Sequence, residues 1–363
     1  MIYIAYFTFG FAVVQLLVAF VNLIFSQKFP ITKTVFNGLV SILIPTRNEE
    51  KNIGNLLTDI QNQDYQNIEI LVFNDLSTDR TAEIVSEYSK LDNRIKLIHS
   101  SGLPDGWLGK NYACHNLSHH ANGAYFLFLD ADVQISNDII INSIGLSKRH
   151  NLGLLSIFPK QMMITKGEQI SVPVMNYILL SLLPLILVRK LNFPSLAAAN
   201  GQFMLFDSVK YLEYLPHEKM KANKVEDIEI ARFYKQNKIK IAVLTGNDTI
   251  TCRMYNSFSD AANGFSKNVV NFFGNSFALA TIFWLITTFG FLVVLFNLST
   301  NTFLFYILIL LITRILISVS SQQNILQNII FLIPQQFALG LFIYKAIINK
   351  LKNQHQWKGR NIS

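Results

Sequence analysis

The stretch that most limits the possible folds is Ala124-Tyr-Phe-Leu-Phe-Leu-Asp-Ala-Asp-Val133. An unbroken apolar run of this length reads as a strand buried on both faces, the kind found inside a parallel sheet. It ends in two carboxylates, Asp130 and Asp132, separated by one alanine. Side chains alternate along a strand, so the two acids are expected to point the same way at its end. Like charges held that close repel unless a cation sits between them, and hard oxygen donors suit Mg2+ or Mn2+ carrying substrate phosphates. A surface turn whose acids face water is the plainer reading of such a short motif.

Composition places this strand inside a larger plan. Of 363 residues, 51% are hydrophobic and only 15% charged, less charge than soluble domains carry. The apolar excess lies at the two ends. Ile2 to Phe25 contains no charged residue and is long enough to span a bilayer. It lacks the flanks of a cleaved signal peptide. Lys28 and Lys33 follow it, and the positive-inside rule then puts the next domain in the cytoplasm. The net charge of +8 comes from scattered lysines, which argues against a nucleic-acid partner. Cys114 and Cys252 have neither metal spacing nor a disulfide framework and read as reduced thiols.

From Val35 the pattern becomes that of an α/β domain. Strands are expected at Leu39–Ile44, Ile68–Phe73 and Arg94–His99. Helices are expected over Ile53–Ile60, Ala82–Lys90 and Asn111–Ala121. Alternating strands and helices predict a mostly parallel sheet with helices on both faces and ligands at the strands' carboxyl ends. The polar clusters Thr46–Glu50, Asn74–Asp79, Gly102–Lys110 and Asp130–Asp132 all fall at such ends.

Pro45-Thr-Arg-Asn-Glu49, Asn74-Asp-Leu-Ser-Thr-Asp79, Gly109-Lys110 and Asp130-Ala-Asp132 occur in the order and spacing of inverting family 2 glycosyltransferases of GT-A fold. The chain resembles that family over roughly residues 38–256. The resemblance implies that Pro45, Arg47 and Glu49 line a nucleotide pocket. It also implies that Asp75 contacts base or ribose, with Asp79 behind it. Asp132 would be the main ligand of a divalent metal (Mg2+ or Mn2+), and Asp130 would face the ribose, sugar or metal. Lys110 has an electrostatic role open to it beside a diphosphate.

Pro194 to Phe206 turns at Asn200-Gly201-Gln202 into an apolar strand, and small residues let backbone approach a sugar closely. In the resembling family this region touches donor sugar or acceptor. Lys224-Val-Glu-Asp-Ile-Glu-Ile-Ala231 opens a helix, and Glu226-Asp227 matches the family's Glu-Asp pair, whose aspartate is the general base. The dipole at a helix N-terminus favours an ionised carboxylate there.

Val172 to Val188 is apolar, carries Pro173 and Pro184, and precedes Arg189-Lys190. A crossing here would separate Asp132 from Asp227 by a membrane, so it reads as an interfacial or re-entrant segment. The expected organisation is a transmembrane helix over 1–26 and a GT-A domain over 36–256. A connector over 257–276, transmembrane or re-entrant helices over 277–345 and a basic tail over 346–363 complete it. Arg314 is costly in lipid and should face protein or a polar cavity, and Pro334-Gln335-Gln336 is expected to break the last apolar segment. The charges place the tail inside, so one C-terminal segment is expected not to cross.

Gly106-Trp-Leu-Gly-Lys110, Arg253-Met-Tyr255 and Trp357-Lys-Gly-Arg360 are similar to a membrane-bound branch associated with carotenoid and hopanoid pathways, of the diaponeurosporenoate glucosyltransferase type. No Arg-Trp pair occurs, which removes the Gln-x-x-Arg-Trp mark of processive polysaccharide synthases. Relatives often carry Gly-Gly before the base helix, where this chain has Leu215-Pro216-His217. The resemblance implies transfer of one sugar from a nucleotide-sugar, read as a UDP-sugar, to a lipid acceptor with a hydroxyl or carboxylate. A polyprenyl-phosphate sugar transferase, a polysaccharide synthase and a nucleotide-sensing transporter are the alternatives.

Overall fold

The structure, a computed structural model, describes residues 1–26, 35–136, 138–351, 356–357 and 360–361, the last two pairs through their backbone alone. The expectations placed on Lys28, Lys33 and the rest of the basic tail lie outside the described residues. The chain divides into two compact units. A strand-bearing unit comprises residues 27–160 and 186–252; a helical unit comprises 1–26, 161–185 and 253–363.

The strand-bearing unit is α/β, as the alternating pattern requires. Its strands are β1 Val40–Thr46, β2 Ile68–Asn74, β3 Ile95–His99, β4 Tyr125–Leu129, β5 Val133–Ile135, β6 Leu154–Phe158, β7 Lys160–Gln161, β8 Phe203–Asp207, β9 Ile241–Thr245 and β10 Ile250–Cys252. The main sheet has seven strands in the order β3-β2-β1-β4-β8-β6-β9. Pairings are parallel throughout except around β8, which runs antiparallel to β4 and β6. β5 pairs antiparallel with β10 in a small second sheet. Every residue of β2 and β4 is buried; β4 reads as an unbroken apolar run, whereas β2 also buries Glu69, whose carboxylate accepts from Ser41 Oγ at 2.7 Å.

The sequence ended the first strand before Pro45, whereas β1 continues to Thr46. A proline costs a strand one ladder donor. Here β1 pairs with β4 only from Val40 to Leu43, so Pro45 lies past the end of that ladder while β2 follows on the other side. β1 and β4 are therefore no longer joined beyond Leu43 and Phe128, at the carboxyl edge of the sheet.

Among the described residues of the helical unit, three helices are long and apolar enough to cross a membrane: Ile2–Ile24, Phe277–Asn297 and Thr300–Ser320. The apolar segment from Val172 forms the helix Pro173–Leu182, which stops at Leu183-Pro184. Stopping a helix frees carbonyls and amides that lipid cannot satisfy. Asn22 of the first helix meets them: its Nδ2 donates to Leu180 O at 3.0 Å and Leu183 O at 2.9 Å, and its Oδ1 accepts from Leu185 N at 2.7 Å. Asn22→Ala strands three backbone groups at once. It should cost about 3 kcal/mol, read as a lower unfolding temperature in neutral detergent, since each buried unmet group costs ~1–3 kcal/mol. An unchanged unfolding temperature would mean that water already reaches the break.

Pro334 does not break the last segment. The interruption falls at Phe331, between Ile325–Ile330 and Leu332–Leu351, and Pro334 sits in the first turn of the longer helix, where a missing N–H costs nothing.

Candidate active site

The carboxyl ends of β1 and β2 carry the first cluster. Thr46 Oγ1 donates to Phe73 O at 2.9 Å, and Asp75 N donates to Thr46 O at 2.9 Å, so the two loops leave the sheet together. Arg47 Nη1 donates to Asp75 O at 2.7 Å and lies 3.8 Å from the Asp75 carboxylate. Asp75 is buried, so the expected nucleotide-contacting acid is fixed by its neighbour and not by solvent. Glu49 accepts from Asn52 Nδ2 at 2.9 Å, at the entry to the following helix. Asp79 takes Glu50 N at 3.1 Å and Thr81 N at 3.1 Å, tying one loop to the other and steadying the start of the Thr81–Leu91 helix. Those hydrogen bonds outweigh its partial burial and hold its carboxyl below the ordinary range.

The second cluster owes its existence to the direction of β8. An antiparallel strand presents its entrance where its parallel neighbours present their exits. Phe203 pairs with Leu129, so the loop entering β8 lies beside the Asp130 turn, and Asp130 N donates to Gln202 O at 3.2 Å. Asn200 holds that loop: its Oδ1 accepts from Gln202 N at 2.8 Å, and its own N–H donates to Ser156 Oγ at 2.8 Å. Gly201 is a place of close approach. A Cβ there would lie 3.0 Å from Lys110 Nζ and 3.5 Å from Glu226 Oε1.

Around Gly201 the chain gathers one cation and three acids. Lys110, at the start of the helix Gly109–His120, places Nζ 2.7 Å from Asp130 Oδ1 and 3.6 Å from Glu226 Oε1. Burial alone would push the ammonium down, but the facing carboxylates reverse this and hold it firmly protonated. Glu226 and Asp227 open the helix Glu226–Gln236. Asp227 Oδ2 accepts from Gly201 N at 3.0 Å, and its Oδ1 accepts from Ile228 N at 2.8 Å. Burial pushes the Asp227 carboxyl up, and those backbone donors limit the rise. Glu226 is pushed up to about 7 by burial, which the Lys110 charge only partly offsets. Buried carboxyls with raised proton affinity in an anchored geometry are what proton transfer near neutral pH needs.

Asp130 and Asp132 occupy a turn between β4 and β5, closed by Val133 N donating to Asp130 O at 3.2 Å. The expectation of one common direction rested on the strand continuing through both residues. Their neighbours differ: Asp130 meets Lys110, while Asp132 lies against the buried Cys252 thiol, which also accepts from Gln202 Nε2 at 2.8 Å. A magnesium or manganese ion held through one or two carboxylates, with phosphate oxygens and water completing its shell, fits this donor set. A closed protein cage does not, because among the described residues no three His, Cys, Asp or Glu side chains are grouped to hold an ion.

The structure thus brings Lys110, Asp130, Gly201, Glu226 and Asp227 into one cluster, places Asn200 and Gln202 on its wall, and gathers Pro45, Arg47, Glu49 and Asp75 along the same edge at β1 and β2. Of two further positioning residues, Asn111 had no signal in the sequence and His217 stood out only within the Leu215-Pro216-His217 departure. Asn111 Nδ2 donates to the carbonyls of Met220 at 2.7 Å and Asn223 at 3.0 Å, holding the loop that leads into Glu226. His217 is buried against Phe128 and accepts or shares a proton with Tyr211 Oη at 2.6 Å. Burial pushes its imidazole down to about 3, so it stays neutral under the Lys110 cluster.

Residues 41–156 match the profile of Glycosyl transferase family 2. A 4,4'-diaponeurosporenoate glycosyltransferase of Staphylococcus haemolyticus is 25% identical over 240 residues, covering 63% of this chain and 60% of the relative. One from Staphylococcus aureus is 28% identical over 260 residues, covering 68% of this chain and 66% of the relative. The chain therefore spans a little under two thirds of the length of these relatives. Among solved structures, a mannosyltransferase, PcManGT of Pyrobaculum calidifontis in complex with GDP-Man and Mn2+, superposes with a TM-score of 0.56 at 14% identity. It covers 96% of this chain and 99% of its own, a likeness of fold.

Proposed function

We propose that the protein is a membrane-bound inverting glycosyltransferase that moves one sugar from a nucleotide-sugar donor, a UDP-sugar, to a lipid acceptor of terpenoid type, a reading supported by the match of residues 41–156 to the profile of Glycosyl transferase family 2. The observation that carries the reading is the cluster of Lys110, Asp130, Glu226 and Asp227 around Gly201, at the edge where β4 ends and β8 begins. The names of the relatives, glycosyltransferases of diaponeurosporenoate, supply the class of acceptor. The three apolar helices supply the reason for it, since an acceptor dissolved in lipid needs its transferase at the bilayer.

In the mechanism Arg47 and Asp75 hold the nucleoside. Asp132, with Asp130, would hold the divalent metal, which supplies Lewis-acid stabilisation of the leaving diphosphate. Lys110 adds a fixed positive charge on that side. Asp227, oriented by the amides of Gly201 and Ile228, accepts the proton of an acceptor hydroxyl as that oxygen attacks the anomeric carbon. One displacement inverts the centre. An acceptor that arrives as a carboxylate brings no proton and needs Asp227 only for positioning.

In this reading one helix crosses before the strand-bearing unit and two after it, and the side of that unit is the one the positive-inside rule makes the cytoplasm. The apolar segment 172–188 then lies at the interface without crossing.

The pH dependence follows from the raised acids. The base must be ionised, so kcat/KM should fall as pH drops through its pKa. Burial raises Asp227 and Glu226, so the acid limb should lie above the ordinary aspartate value of about 4. A flat profile from pH 4.5 upward would remove both groups from proton transfer. The reading as a whole is tested by incubating membranes that contain the protein with radiolabelled UDP-sugars and Mn2+, then weighing the lipid extract by mass spectrometry. No labelled lipid from any donor would overturn it; long polymer or label on a polyprenyl phosphate would redirect it.

A further inference from the structure

Among its described residues the helical unit holds a cation without a counter-charge. Arg314 lies in the apolar helix Thr300–Ser320, six residues before its C-terminal end, and only 6% of its surface is exposed. Its guanidinium stacks 3.6 Å over the ring of Tyr177, and Nη1 donates to Gln335 Oε1 at 3.3 Å. These neighbours are neutral. Behind Gln335 the polar groups are already used: its Nε2 donates to Gln169 O and Asn328 Oδ1, both at 3.0 Å, and Asn328 Nδ2 donates to Ser318 Oγ at 2.9 Å.

No acid of this unit answers the charge. Its segments contain two carboxylate side chains, Glu168 and Asp260. Glu168 is paired with Arg253 at 2.8 Å and closes the capping box of its own helix. Asp260 accepts from Asn256 N at 3.2 Å at the start of the Phe258–Asn268 helix. An aromatic face and one long amide hydrogen bond do not replace the water that a guanidinium gives up on burial, and they leave most of its planar fork of donors unused. An ionisable residue in an apolar helix either pairs within the bundle or marks a path for a ligand or ion, and here no acid pairs with it. The fork matches the two oxygens of a carboxylate or phosphate, and a partner that reaches this depth must itself have an apolar tail.

We propose that Arg314, backed by Tyr177 and Gln335, is the binding site for the oxyanion head group of a membrane amphiphile. A lipid carboxylate and a phosphodiester head group share this chemistry. The inference goes beyond sugar transfer and rests only on the membrane placement, which retention of the protein in carbonate-washed membranes tests separately.

The full chain, purified in neutral detergent, is incubated with matched probes, oleate against methyl oleate and phosphatidylglycerol against phosphatidylcholine, and bound probe is counted by native mass spectrometry. The wild type should prefer the anion of at least one pair by about tenfold, as expected for a charge-assisted fork. Preference for oleate names a carboxylate as the source, and preference for phosphatidylglycerol a phosphodiester. Arg314→Gln should bring that preference to parity while leaving the neutral probe unchanged. Arg314→Lys, which keeps the charge and loses the fork, should fall between and serves where the glutamine variant does not fold. A wild type that binds both members of each pair equally, or a preference that survives in Arg314→Gln, overturns the proposal.

Discussion

Asp227→Asn should lower turnover on the order of 10³-fold while nucleotide-sugar binding stays within about twofold of wild type. Amide and carboxylate are nearly isosteric, so the bond from Gly201 N can persist through the amide oxygen at the expense of the one from Ile228 N, and the wall around Gly201 should stand. What is lost is the ability to take a proton. Turnover with a series of acceptors and donor affinity by calorimetry, measured on one preparation, separate the two effects. Near-normal transfer to an acceptor carrying a carboxylate, with loss confined to hydroxyl acceptors, would show that Asp227 acts through proton removal alone. Near-normal transfer to both would take it out of the mechanism.

Lys110→Met should be nearly as damaging, for a different reason. Lys110 is the cation facing Asp130 and Glu226, and removing it leaves their charges, together with that of Asp227, in one poorly hydrated corner. Breaking a buried pair from one side costs about 3–5 kcal/mol; a quarter of the Lys110 side chain is exposed, so about 2 kcal/mol of stability is a fair expectation. Activity should fall on the order of 100-fold through loss of positive charge near the leaving group. The acid limb of kcat/KM should also move to higher pH, because carboxylates without a facing ammonium hold their protons longer. A stable variant with an unshifted limb would mean that Lys110 serves the donor and has no influence on the acids.

Much of this corner is legible in the sequence. The apolar run into Asp130 could be little other than a central strand, and the Asn200-Gly201-Gln202 turn and the Glu226-Asp227 helix start were visible as breaks in periodicity. Direction was not legible. Strand and helix alternate in the same way whether β8 runs with or against its neighbours, and only its antiparallel pairing with β4 brings Gly201 beside Asp130. Long-range polar contacts were equally silent. Nothing in the neighbourhood of Asn111 indicates that its amide reaches the loop of Met220 to Asn223, more than a hundred residues away. Pro334 misled because a proline reads the same at a break as in the first turn after it.

The order in which the two units take up the chain has a consequence for how the protein is made. The chain passes between them four times, so neither unit is a continuous piece of polypeptide. During synthesis the first helix emerges with Asn22 and Gln15 ready, yet their partners in Leu180 to Leu185, Tyr177 and Ser181 follow only some 160 residues later. The strands β8 and β9, which complete the main sheet, come later still, and the last helices of the helical unit after them. A ribosome-bound chain halted near residue 160 therefore presents two unfinished halves, and assembly must wait for closure across long stretches of sequence, a slow step with apolar surface exposed meanwhile.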